Sequence, residues 1–480
     1  MDKTPLKHRR PVPATTRRVF RALSLFTGVQ AVGIVVSVIR TKLVALWVGQ
    51  TGIGLLSLYA RAVEILTTST QFDIRNSSVR DISSAENSEK KNRTAALVRR
   101  LGLILGIGGA VLTVILSPVL STVTFGDSSH TTAFIALAVI LPLSASTAVE
   151  GALMQGYDRL RNLARSTLYG AIAGTACALP LYYFFRIDAI VPVLIIFAFT
   201  NCLFARIYGV RTGPFPRLGM GTVLREGRGI LKLGASLTIS NLANILSIYA
   251  LMVFLNRLYG EGTVGIFNAG STMLNTYVGI LFTAISMEFY PRLSKVCRSA
   301  MRTRTVVSHE ALMSLCILLP VIVAVICCSR LIIQIFYADS FVDADSFVST
   351  GIAGMIFRAP AWCMAFCMIA RGDGRTYLFT ECTSAVVYFT LSTVLFKIFG
   401  FAGLGSAYVL WYVIYFAVVY SVYRCRYSLT LARSVWVLMG VSAATAVITT
   451  VLKAIAGPWT ALTIVLPMAS TAAFIYFRRS

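Results

Sequence analysis

The chain has 480 residues, of which 56% are apolar and only 13% are Asp, Glu, Lys or Arg. A soluble domain carries about a quarter charged residues, so this chain is too poor in charge to cover a water-facing surface. Its net charge of +25 does not indicate nucleic acid, because the basic residues fall in short segments between long apolar runs, as the positive-inside rule requires of a membrane protein.

Those runs predict an all-α membrane protein of about fourteen transmembrane helices, each near the ~20 residues that cross a bilayer. In chain order they cover roughly 20–48, 53–82, 96–120, 132–155, 166–185, 189–210 and 230–258, followed by 263–290, 309–329, 347–370, 377–398, 402–423, 434–455 and 458–477. Alternating ten-residue strands are absent, which excludes the pattern of a membrane β-barrel. The basic start (MDKTPLKHRRPVPATTRRVF) is followed by no small-residue cleavage site, so no cleaved signal peptide is expected.

Of the 44 Lys and Arg residues, 32 fall on the side of the termini and five on the other (Arg186, Arg257, Arg330, Lys397, Lys453). That asymmetry places both termini in the cytoplasm. The segment RTGPFPRLGMGTVLREGRG at 211–229 reads as a cytoplasmic linker between two six-helix bundles, 1–210 and 230–425, with two additional helices in 426–480. An internal repeat supports this: GQTGIGLLS at 49–57 aligns with GEGTVGIFN at 260–268, matching Gly49 to Gly260 and Gly54 to Gly265. Later, QGYDRLRN at 155–162 and RGDGRTYL at 371–378 are paired Gly/Asp/Arg turns. Parallel repeats of this kind are a transporter architecture.

The ten cysteines lie mostly inside or at the ends of apolar runs and read as small apolar fillers. His8, His130 and His309 are far apart in sequence and form no metal motif. No nucleotide-binding motif appears, no cofactor is expected, and the outer loops are too short for the catalytic domain of a polymerase or ligase.

The segment VIRTKLVALWVGQTGIGLLSLYARAVEILTT at 38–68 has a basic residue late in the first helix and then a Gly-x-x-Gly-x-Gly corner. It resembles the opening helix pair of Wzx-type polysaccharide exporters, the O-antigen flippases of the multidrug/oligosaccharidyl-lipid/polysaccharide superfamily. The resemblance covers about 1–425, and the last two helices are an extension found in some members. It implies two pseudo-symmetric bundles around a V-shaped cavity, alternating access, and an undecaprenyl-diphosphate-linked oligosaccharide carried from the cytoplasmic to the outer leaflet of the bacterial inner membrane. A lipid II flippase and a multidrug cation antiporter are the alternatives within the superfamily. The basic excess inside the spans disfavours the antiporter, whose cationic drugs suit an acidic cavity.

A charge at mid-bilayer costs ~2.5–3.5 kcal/mol on insertion scales, so each needs a reason. Arg61, Glu64, Thr68, Gln71, Arg75 and Ser78 recur every three or four residues on the second span and should share a face turned from lipid. Arg61 and Arg75 are candidate diphosphate contacts, joined by Arg40 and Lys42 on the first span and Arg358 on the tenth. Arg61–Glu64 and Asp73–Arg75 could equally be structural pairs. Glu64 and Asp73 are the candidates for Na⁺ or H⁺ coupling. Thr68, Gln71, Asn244, Asn268 and Asn275 are candidate saccharide contacts, although small polar residues often serve only to pack helices. Glu150, Glu288 and Glu381 read as interfacial. Expected partners are the lipid-linked oligosaccharide, membrane lipids, a coupling ion and other polysaccharide-assembly proteins, and no nucleic acid.

Overall fold

A computed structural model describes residues 14–83, 87–210, 219–297 and 299–479. Among the described residues the regular structure is entirely helical, the form in which a chain satisfies its own backbone groups where no water is at hand. Nine helical segments among them are long and apolar enough to cross a membrane.

Several of these segments turn back on themselves. Helix α1 (Ala14–Gln71) is interrupted at Gly49, whose φ of 72° favours a residue without a Cβ. Ser37 and Glu64, on either side, line one cavity, whereas a straight helix would hold them about 40 Å apart. The two arms therefore lie side by side. After α1, the sequence periodicity predicts one continuous helix to residue 82. The structure instead breaks it at Phe72 and Asp73, both with positive φ, and α2 (Ile74–Ser83) starts afresh. The Asp73 carbonyl accepts from the Ser77 amide and hydroxyl, and its carboxylate accepts from Asn76. With no Gly or Pro at the break, periodicity alone could not show it.

Helix α3 (Ser88–Phe125) has its apolar face outward. Leu103, Ile107, Val111, Ile115 and Val119 recur every fourth residue and are each about half exposed or more. Thr113, Ser117 and Ser121 are buried on the inner side, with hydroxyls bonded to Gly109, Val114 and Asp127 carbonyls. This is the arrangement expected when lipid is the solvent and small polar residues pack helices together. Helices α4 (Thr131–Leu137) and α5 (Ile140–Gly156) follow. Then α6 (Leu160–Phe185) and α7 (Ile190–Ile207) pair across the short turn at Arg186–Ala189, with Tyr169 stacked on Tyr208.

Helix α8 (Met220–Tyr259) ends at Gly260, φ 83°, the position that repeats Gly49. Helix α9 (Glu261–Thr272) continues through a π-turn at Met273–Tyr277 into α10 (Gly279–Val296). Next come α11 (Ala300–Phe336), α12 (Ala344–Gly351) and α13 (Met355–Ala370). Helix α14 (Gly374–Cys425) bends at Gly400, and its arms are tied by hydrogen bonds from Trp411 to Ser384 (2.8 Å) and from Tyr415 to Glu381 (2.7 Å). Glu381 is thus bonded within the helix pair. Asp373 caps α14. Burial pushes its carboxyl up, but hydrogen bonds from Tyr427 and Thr376 and the charge of Arg426 outweigh this and hold it below the usual range. Finally, α15 (Arg433–Ala456) and α16 (Pro458–Arg479) pack on α11, where Leu319, Val323 and Cys327 meet Ala461, Val465 and Ala469.

The repeat-related corners meet each other. A Cβ on Gly54 would lie 1.9 Å from the Glu261 carbonyl oxygen, and one on Gly265 would lie 2.1 Å from that of Gln50. Residue 50 corresponds to 261 and residue 54 to 265, so the contact is reciprocal, as a local two-fold axis demands. Two cationic caps strengthen the same end. Lys42 donates to the Gln334 and Tyr337 carbonyls at the end of α11. Arg257, near the end of α8, donates to the Thr122 and Val123 carbonyls of α3, the latter at 2.8 Å. Both occupy helix C-termini, where free carbonyls and the helix dipole favour a cation.

Candidate functional site

Two cavities meet at Arg61 and Glu64. The first, of roughly 550 Å³, lies nearer the Gly49 corner between the arms of α1, with Arg40, Arg61, Glu64 and Asn268 in its wall. The second, of roughly 530 Å³, runs along α1, α2 and α8 and is lined by Arg61, Glu64, Thr68, Gln71, Asp73, Arg75 and Asn244. Together these two adjoining cavities, hereafter the channel, present three arginines and two carboxylates.

The local sequence explains which groups can reach this space. On the first arm of α1, Ser37, Arg40, Thr41 and Val44 follow helical spacing and share the cavity face. The Arg40 guanidinium lies 4.7 Å from the centre of the Phe197 ring, a cation–π geometry that braces it from α7. Lys42, two residues on, faces elsewhere. Its ammonium holds the α11 carbonyls described above, and the side chain lines neither cavity in this conformation.

Arg61 is paired with Glu64 at 2.7 Å, one turn along the same helix. Arg75 is exposed and, among the described residues, has no ion-pair partner. Asp73, proposed as its neutraliser, is turned to Asn76 instead. Gln71 lines the cavity but is buried, donating to the Ser144 hydroxyl (2.7 Å) and the Leu141 carbonyl, so it also braces α1 against α5. Ser78, the last member of the expected stripe, is fully buried and outside the channel, a consequence of the break at Phe72–Asp73. Glu64 and Asp73 both face the channel, Glu64 through its pair with Arg61.

Arg358 and Asn275 line neither cavity. Arg358 donates to the Asn275 side-chain oxygen (3.2 Å) and the Tyr408 hydroxyl (3.3 Å), and lies over the Phe282 and Tyr412 rings. Tyr408 also donates to Asn275 at 2.9 Å. This neutral, aromatic cage knits α13, the π-turn and α14 together. In this conformation the cage, and not either cavity, holds both side chains. Glu288 lies outside the described side chains. Glu150 is buried and receives two hydrogen bonds from Arg99, at 2.8 and 2.9 Å.

Sequence reasoning missed Phe197 and Tyr337 in the first cavity and the role of Thr238 and Asn241 in the second. Phe197 meets Arg40 from 157 positions away, and no local pattern could announce it. Thr238 and Asn241 did carry a signal, since they sit at helical spacing with Asn244. Among the described residues no cluster of three metal-ligating side chains occurs.

A helical, multi-pass membrane protein with a polar channel between repeat-related helices is the class that this fold and site define. Residues 82–346, more than half of the chain, match the model of a family described as "Polysaccharide biosynthesis protein", and the chain belongs to that family. It is 22% identical over 365 residues to a Shigella flexneri protein named "Putative O-antigen transporter", covering 74% of this chain and 85% of that one. Among solved structures it is similar to the lipid II flippase MurJ in an inward closed conformation, with a TM-score of 0.74, 12% identity, and coverage of 95% of this chain and 99% of that one. An inward-facing multidrug MATE transporter of the MOP superfamily gives a TM-score of 0.66 at 14% identity, covering 81% of this chain and 94% of that one. These likenesses establish a shared fold.

Proposed function

We propose that the protein is a flippase for a polyprenyl-diphosphate-linked oligosaccharide, a precursor of O-antigen or a related surface polysaccharide. It moves the lipid from the cytoplasmic to the outer leaflet of the inner membrane. The observation that carries this reading is the arginine-bearing polar channel, in which Arg40 and Arg75 lie on either side of the Arg61–Glu64 pair. The diphosphate is held by Arg75 and then Arg40, while Thr68, Asn241, Asn244 and Asn268 offer hydrogen bonds to sugar hydroxyls. Family membership and the likeness to an O-antigen transporter support the substrate class.

The reading includes fourteen traversals, both termini in the cytoplasm, and bundles at 1–210 and 230–425 joined by 211–229, with 426–480 as the added pair. Closure at the Gly49–Gly260 end then corresponds to a channel closed towards the periplasm. Moving an anion outward from a negative interior is favoured by ~2.3 kcal/mol per charge per 100 mV, and in this mechanism Glu64 and Asp73 couple an ion on the return.

The test is export of labelled lipid-linked saccharide in cells, normalised to membrane-inserted protein. A charge-assisted hydrogen bond is worth about 1.5–3 kcal/mol, so Arg75→Gln should lower export by roughly ten- to a hundredfold at unchanged protein level. Arg75→Lys should retain part of it, since Lys still offers a point charge to phosphate. Normal export by Arg40→Gln and Arg75→Gln would remove the anion path.

A further inference from the structure

A second basic cavity lies outside the channel. It has a volume of roughly 700 Å³ between α3, α5 and α7, and Arg99, Arg100 and Arg206 converge on it with Ser146 and Glu150. Helix α5 separates the two spaces: Ala148 faces the channel and Ser146 faces this cavity.

Its floor is built and rigid. Glu150 is buried and grips Arg99 through two hydrogen bonds, and Arg99 also donates to the Val210 carbonyl at 2.8 Å. A Cβ on Gly209 would come within 2.6 Å of the Glu150 carboxylate, so the chain passes close over the pair. Glu150 is thus committed to Arg99. Among the described residues Arg100 has no ion-pair partner, and Arg206 donates to the Ser146 hydroxyl at 3.2 Å.

The surroundings are apolar and outward-facing. Leu103 borders the cavity, and Leu203 and Ile207 flank Arg206 along α7; all three are between about two-fifths and three-fifths exposed. A cationic pocket beside an exposed apolar surface matches a ligand with an anionic head and hydrocarbon tails. Long basic side chains that merely reach for water need no such concavity, whereas basic pockets between membrane helices on the cytoplasmic side suit lipid head groups.

We propose that this cavity binds the phosphate of an anionic membrane lipid, with Arg100 and Arg206 as the phosphate contacts, Ser146 and the Arg99–Glu150 pair as their support, and the acyl chains along Leu103. The site is separate from the channel. Two lipids share that chemistry, an anionic phospholipid and the polyprenyl carrier itself, and the experiment separates them.

Purified full-length protein in neutral detergent is titrated, with native mass spectrometry as the readout, against phosphatidylglycerol, phosphatidylethanolamine, undecaprenyl phosphate and inorganic phosphate. Wild type should bind at least one of the two anionic lipids ten times more tightly than phosphatidylethanolamine or inorganic phosphate. The tighter of the two identifies the source. The Arg100→Gln/Arg206→Gln variant should lose at least tenfold in that affinity, and Arg100→Lys/Arg206→Lys should stay within about threefold of wild type, which also controls for folding. The same titrations in an Arg75→Gln background, where lipid binding in the channel is weakened, should keep the dependence on Arg100 and Arg206, so failure here and failure of the transport reading are distinguishable. Equal binding by the Gln variant, or equal affinity for inorganic phosphate and lipid, would overturn the proposal.

Discussion

Arg61 and Glu64 stand one turn apart on a helix face that lines the channel, and their side chains are about one-third and two-fifths exposed. An i,i+3 pair of that kind stabilises a helix by only about 0.2–0.5 kcal/mol. Its larger effect is electrostatic, because it cancels one cation between Arg40 and Arg75. Glu64→Gln should therefore change thermal stability little while tightening binding of a diphosphate lipid several-fold, measured by titration of the purified protein. Weaker binding would contradict the role of Glu64 as the group that moderates Arg61. Glu150 offers the contrast. It is buried, whereas its partner Arg99 is about one-quarter exposed, and leaving such a half-buried cation without its hydrogen-bond acceptor costs about 1–3 kcal/mol. Glu150→Gln should lower membrane abundance and melting temperature sharply; a wild-type melting curve would show that the pair is dispensable. Residues of one type thus differ by setting. Arg40 and Lys42 were grouped in the sequence by their charge, although residues two apart on a helix cannot share a face and the spacing already separated them. Arg358 was not legible, because its cage is assembled from Asn275, Phe282, Tyr408 and Tyr412, residues far apart in sequence.

The corners Gly49 and Gly260 belong to the scale of elements. They were readable because only glycine settles comfortably at their positive φ, and the repeat placed Gly54 and Gly265 in register. Their reciprocal contact was not readable, since alignment shows equivalence and not proximity. At 1.9 and 2.1 Å from a backbone carbonyl, an added methyl has nowhere to go unless the helices part. Gly54→Ala and Gly265→Ala should therefore open the Gly49–Gly260 end. The caps made by Lys42 on α11 and Arg257 on α3 hold the same end, and Lys42→Gln with Arg257→Gln should act in the same direction. A cysteine at Thr276, in the wall of the first cavity, reports on this in a background lacking the ten native cysteines. Labelling by a membrane-impermeant thiol reagent added from outside should rise several-fold in each opened variant. Unchanged labelling would mean that these contacts do not form the closure. The break at Phe72–Asp73 carries the opposite lesson, because nothing but tertiary packing marks it, yet it ends the stripe before Ser78.

At the scale of the whole molecule, charge asymmetry, apolar runs and the repeat were enough to read a helical transporter, because lipid imposes few solutions on a backbone. The route through it needed the fold, since a channel is made by helices that meet from distant parts of the chain. In the proposed mechanism Arg40 and Arg75 form one anion path along which a lipid diphosphate moves between leaflets. Purified protein in liposomes, carrying a fluorescent polyprenyl-diphosphate oligosaccharide, measures this directly through the fraction of lipid exposed to an impermeant quencher over time. Wild-type protein should exchange the lipid between leaflets well above protein-free vesicles, and Arg75→Gln should slow that exchange at least tenfold. Exchange no faster than in empty vesicles, or equal in wild type and Arg75→Gln, would contradict it.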